Sequence, residues 1–170
     1  VINPDCFYLP CGRKGEFLFN WQAMELTATI RPMKPIENLN FNEFMENFAT
    51  EIGGNYSEYD DNRSVIVIPI EGNRFQSVFG IKKFSERYQK VGLEFTSKVC
   101  PFTEDIDLGE LLKENARFCY AKFILEDGFI KVESNLFPDN INEALVKEVI
   151  VEVANVADEW EYRLTGQDVH

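Results

Sequence analysis

The first regular pattern of apolar positions begins after Asn40. Phe41, Phe44, Met45, Phe48 and Ile52 recur at three- and four-residue spacing, which lines them along one side of a helix. Asn40, with Glu43 three residues on, offers an N-cap and its N3 partner. Gly53 and Gly54 stop the helix, because glycine readily adopts the left-handed closing conformation.

The period then falls to two. "NYSEYDDNRSVIVIPI" reads as a hairpin turning around Asp60 to Arg63. Within it Val65 to Ile70 form a central or near-central strand, in which Pro69 needs a bulge or an edge because it donates no hydrogen bond. "RFQSVFGIKKF" follows the Gly72-Asn73 turn, with Phe75, Ser77, Phe79 and Ile81 on one side and Gln76, Val78, Gly80 and Lys82 on the other. "KVGLEFTSKV" puts Val91, Leu93, Phe95, Ser97 and Val99 on a single face. Such alternation predicts a sheet with one well-buried face.

Helical spacing returns in "LGELLKENA", capped by Asp107 or a neighbouring acid, with Leu108, Leu111, Leu112 and Ala116 as its apolar stripe. "ENARFCYAKFILEDGFIKVESNLF" is then a hairpin, since Asp127-Gly128 suits a two-residue loop that needs positive φ at both positions. The register that follows pairs Glu126 with Phe129, Leu125 with Ile130 and Phe123 with Val132, and continues to Ala121 with Ser134 and Cys119 with Leu136, all but the first on the core face. It leaves Phe118, Tyr120, Lys122 and Ile124 on the reverse face, with Phe137 at its rim. A long helix closes the chain: Asn140 with Glu143 offers a cap, Ile141, Leu145, Val149, Val153, Val156, Ala157, Trp160 and Leu164 form its stripe, and Gly166 marks its end.

These elements predict an α+β domain, an antiparallel sheet with helices on one face, in the order helix, three or four strands, helix, hairpin, helix. The domain is expected over 39–166, with a short tail at 167–170. Residues 1–38 are less regular: "GEFLFNWQAMELTATIRP" fits one or two strands before Pro32 and Pro35 intervene, and this segment is expected to pack on the main domain as an extension.

Composition narrows the function. With 170 residues and 45% apolar positions the chain has enough to bury a sizeable core. Its formal charge of −12 repels nucleic acid and anionic lipid at long range, so neither is an expected partner, and the surplus serves solubility or a basic partner. The apolar run "VIVIPI" is far shorter than the roughly 20 residues that span a bilayer. The chain opens on Val1, in keeping with processing or truncation upstream. Cys6, Cys11, Cys100 and Cys119 show no CxxC spacing, and His170 is the lone imidazole; reduced thiols in a cytoplasmic protein fit this pattern better than a disulfide scaffold or a zinc site.

Candidate chemistry is sparse. The acids Glu104, Asp105 and Asp107, and Asp158, Glu159 and Glu161 around Trp160, are dense enough to suggest a metal-dependent hydrolase, but their spacing matches no calcium loop and a solvated acidic surface is the simpler reading. "LPCGRKGEF" lacks the spacing of a phosphate loop. No catalytic residue, cofactor site or metal site is therefore assigned.

Four blocks carry a resemblance. "GNRFQSV", "LEFTSKVC", "LLKENARFCYAKFILEDGFIKVESNLF" and "VANVADEWEYRL" resemble, in order, the YbjN-like domain family, over about Leu39 to Leu164. That resemblance implies a fold like the type III secretion chaperones, in the order α-β-β-β-α-β-β-α. It implies that Asn115 closes the second helix, that Ala157, Asp158 and Glu161 belong to a signature of the last helix, and that no enzymatic residues are established. The expected function is non-catalytic protein recognition, chaperone-like or regulatory, with another chain or a second copy as partner. The expected interface is Phe118, Tyr120, Ile124 and Phe137, unless the N-terminal extension covers it. A structural adaptor without a separate ligand is the remaining alternative.

Overall fold

The computed structural model describes residues 40–138 and 141–166. The expected extension at 1–38, with Cys6, Cys11 and the glycine-containing stretch near Gly12, lies outside the described residues, as does the tail at 167–170.

Helix α1 (Phe41–Glu51) is followed by four strands, β1 (Asn55–Asp60), β2 (Arg63–Ile70), β3 (Arg74–Ser85) and β4 (Lys90–Pro101). Helix α2 (Leu108–Glu114) leads through a 3-10 turn at Asn115–Arg117 into the hairpin β5 (Lys122–Glu126) and β6 (Phe129–Leu136), and α3 (Glu143–Thr165) ends the domain. Four strands, not three, therefore separate the first two helices. All pairings are antiparallel, in the order β1-β2-β3-β4-β6-β5.

The helices cover one face of this sheet. Ile66, Ile68, Val78, Leu93, Phe95, Val99, Phe123, Ile130 and Val132 form the sheet side of the core. Phe41, Phe44, Met45 and Phe48 of α1 and Val146, Val149, Ile150, Val153 and Trp160 of α3 form the other side. Gly80 lies where α1 comes closest: a Cβ there would stand 2.7 Å from Met45 Cε and 2.8 Å from Phe41 Cζ. On β3 it is thus Gln76, Val78 and Gly80 that are buried, while Phe75 points outward and Phe79 and Ile81 are half-buried. The Gln76 amide survives burial because its Nε2 donates to Lys98 O at 3.1 Å.

Pro69 is accommodated by strand length. β1 begins to pair only at Asn55 opposite Val67, so Pro69 has β3 as its one neighbour and costs no ladder bond to β1. The hairpin register of β5 and β6 is as expected from Lys122 opposite Glu133 to Glu126 opposite Phe129, with φ of 52° at Asp127 and 76° at Gly128.

Upstream of Lys122 the expected strand is absent. Cys119, Tyr120 and Ala121 donate their N–H groups to Glu152 Oε1 of α3, at 2.8, 3.2 and 3.4 Å, instead of pairing with β6. Cys119 is consequently exposed and not in the core. The edge of β5 is closed by Asn115, the C-cap of α2, whose Oδ1 accepts the Phe123 N–H at 2.6 Å.

The cap of α3 also differs. Asn142 is the N-cap, its side chain accepting from Leu145 N at 2.7 Å, while the expected cap Asn140 lies outside the described residues. Asp107 caps α2 as expected, accepting from Gly109 and Glu110. Asp158 and Glu161 are buried, contrary to the expectation of a solvated acidic surface; Arg74 Nη2 lies 3.0 Å from Asp158 Oδ2. Trp160 sits edge-on to Phe123 at 5.1 Å.

Candidate functional site

Because side chains alternate along a strand, burying one set on the helices delivers the other set to the opposite face. Among the described residues no helix covers that face. It holds a groove of about 550 Å³. One end is apolar, formed by Tyr59, Val65, Phe79 and Ile81, with the Tyr59 and Phe79 rings edge-to-face at 5.6 Å. Thr96 and Ser77 lie between, and Glu94, Lys98, Lys131, Glu126 and Asp127 form the charged end.

The charges are mostly paired across strands. Lys83 of β3 bonds Glu94 of β4, Lys122 Nζ of β5 lies 3.0 Å from Glu133 of β6, and Lys131 Nζ lies 2.8 Å from Glu126 Oε2 and 3.4 Å from Asp127 Oδ2. The bond to Glu126 raises the Lys131 ammonium above its ordinary value, against the opposing pull of burial, and Glu94 does the same for Lys83. Lys98 is different. Among the described residues no carboxylate pairs with it, and its Nζ lies over the Phe129 ring at 4.4 Å. It also stands directly opposite Lys131, a like-charge pairing that a sheet normally avoids.

The acidic surplus is not spread evenly. Segments 40–54, 102–121 and 141–166, which contain the helices, carry fourteen acids against four bases, an excess of ten. Segments 55–101 and 122–138, which form the sheet, carry nine of each. The sheet-forming segments are therefore formally neutral in a chain of charge −12.

The four expected interface residues do not form one patch. Ile124 keeps to the open face opposite Lys131, at the β5 edge. Phe137 lies just past the end of β6 beside Gly92, with Tyr88 edge-on at 5.1 Å. Phe118 and Tyr120 precede β5 and are not on a strand: Phe118 packs edge-on against Phe123 at 5.5 Å, next to the core, and Tyr120 is exposed in the segment tied to Glu152. The groove residues Tyr59, Phe79, Ile81 and Lys98 were not singled out by the sequence. The signal present was the β3 alternation itself, whose oilier side faces away from the helices.

The carboxylates considered for metal chemistry are otherwise engaged or scattered. Asp107 caps α2, Asp158 faces Arg74 and Glu159 pairs with Arg163. Among the described residues no group of three or more His, Cys, Asp or Glu is placed to hold a metal ion, and no helix is long and apolar enough to cross a membrane.

Comparison with solved structures identifies the fold. A chain of the HopA1–SchA chaperone–effector complex superposes with a TM-score of 0.52 at 12% identity, over 74% of this chain and 96% of that one. The fold is shared across a wide sequence distance. A chain of the heterodimeric ExoU–SpcU complex from the type III secretion system of Pseudomonas aeruginosa matches at 0.44 and 10% identity, covering 75% and 99%. A chain of the Yersinia pestis type III secretion chaperone SycH complex with a fragment of YscM2 matches at 0.39 and 17%, covering 70% and 98%. No protein-family model and no curated protein matches the sequence.

Proposed function

We propose that this domain is a non-catalytic recognition module, chaperone-like or adaptor-like, that docks segments of other proteins on the open face of its sheet. The observation that carries this reading is the division of the sheet: one face is sealed by helices, while the other presents a groove with an apolar end and a charged end. Binding grooves commonly combine apolar lining with a few placed polar groups. The fold shared with a chain from a chaperone–effector complex supports the same reading by analogy of architecture. The YbjN-like sequence blocks, a cytoplasmic location and self-association as a homodimer belong to the proposal as well. Ile124 and Phe137 border the docking face, Tyr59, Phe79 and Ile81 form its apolar end, and Lys98 stands at its charged end.

The test is native co-purification with mass spectrometry, comparing the wild-type chain with Phe79→Ser/Ile81→Ser. A partner retained by the wild type and lost by the folded double variant supports the open face. Partners that bind both equally would move the docking site elsewhere. Sedimentation across a concentration series tests the homodimer, which a strict monomer would remove.

A further inference from the structure

The occupant of the open groove has a definable charge. Attraction between the chain as a whole and a basic partner would be directed at the helices, since they hold the excess of ten acids. In and beside the groove the acids are already matched: Glu94 by Lys83, Glu133 by Lys122, and Glu126 and Asp127 by Lys131. The charge left over is Lys98, exposed within the groove lining, with an aromatic ring and no carboxylate beside it. A cation in this position, with a neighbouring lysine directly across the β4–β6 ladder, favours a negative group from outside.

Resting on the docking reading above, we propose that the groove selects an extended protein segment that is apolar toward one end and acidic toward the other. The apolar side chains settle on Tyr59, Phe79 and Ile81, and a carboxylate meets Lys98 Nζ. The span suits a short segment. From β1 to β5 the sheet order gives five strand spacings, about 24 Å at roughly 4.8 Å each, which about seven extended residues would cross. A single nucleic-acid strand, also anionic, fits less well. It would bring a phosphate with every nucleotide against Glu94, Glu126 and Asp127, and the edge-to-face Tyr59 and Phe79 rings present no pair of parallel surfaces for bases.

The experiment uses the full chain and three labelled peptides, each a leucine-rich half followed by a half rich in glutamate, in lysine or in serine, read by fluorescence anisotropy at low and high salt. The glutamate peptide is expected to bind best and to weaken with salt. Lys98→Glu should lower its affinity about fivefold to tenfold and raise that of the lysine peptide, with circular dichroism confirming the fold and Lys98→Met as a second variant. Equal binding of all three peptides, unaffected by Lys98→Glu, overturns the charge assignment and leaves the docking face standing. No binding by any peptide overturns both. Displacement of the glutamate peptide by an oligothymidylate of similar charge also overturns the proposal, because negative charge alone would then suffice.

Discussion

Replacing Gly80 with alanine tests how α1 is seated. In an ordinary strand the change would help, since glycine interior to a strand costs about 0.5–1 kcal/mol relative to alanine. Here the added methyl lands 2.7 Å from Met45 Cε and 2.8 Å from Phe41 Cζ, well inside carbon–carbon contact distance. Met45 is fully buried and Phe41 nearly so, and Phe41 is also held against Phe95 with ring centroids 6.4 Å apart. The thioether can turn aside, whereas the ring has less room. Overpacking of this kind costs about 1–3 kcal/mol, so the net expectation is destabilisation by roughly 0.5–2 kcal/mol. Urea unfolding followed by far-UV circular dichroism would read it as a lower midpoint with an unchanged slope. A double-mutant cycle sharpens the test. Met45→Ala alone should cost about 2–5 kcal/mol, and less in the Gly80→Ala background, where the new methyl fills part of the space. If Gly80→Ala is neutral or stabilising, or if the two changes add independently, then α1 does not rest on that glycine and the account of which β3 face is buried is wrong.

Other outcomes follow from the same contacts. Trp160→Ala, which removes the indole packed on Phe123, should cost about 3–5 kcal/mol in the same assay, and a loss under 1 kcal/mol would place the ring outside the core. Gly128→Val, at a φ of 76° in the β5–β6 turn, should destabilise by at least about 1 kcal/mol, with no crowding to blame because nothing lies within 4 Å of the added Cβ. Lys83 and Lys131 are both raised in the folded chain, so the stability they add is full below the ordinary lysine value of about 10.4 and is lost as pH climbs through the folded-state values. Unfolding midpoints should therefore fall on alkaline titration, and Lys131→Met should shallow that fall; an unchanged profile would contradict the pairing with Glu126.

The architecture was legible where turn chemistry and period agreed. Asp127-Gly128 set a register that β5 and β6 follow residue for residue, and the phenylalanine stripe of α1 faces the core as its spacing required. The sequence misled where side chains supply what a strand normally would. Alternation from Phe118 to Ala121 continues that of β5, but Glu152, thirty-one to thirty-three residues away, takes those backbone donors. Asp158 and Glu161 read as surface because charge rarely enters a core, and nothing in the local sequence announces Arg74 from the far end of β3. The open groove was hidden by a similar inversion. Phe79 and Ile81 look more suited to burial than Gln76 and Gly80, yet close helix approach at Gly80 and a satisfied amide at Gln76 decide the matter.

Asn115 has a bearing on how these molecules behave in company. By taking the Phe123 amide at one border of the sheet, it leaves an arriving strand without its first donor there, so lateral accretion of copies is discouraged on that side without proline or a row of lysines. The opposite border offers a poor template of its own, since β1 is short and its register shifts between Glu58 and Asp60. A crowded solution of this domain is thereby steered toward contacts across its flat surface and away from endless edge-joined arrays.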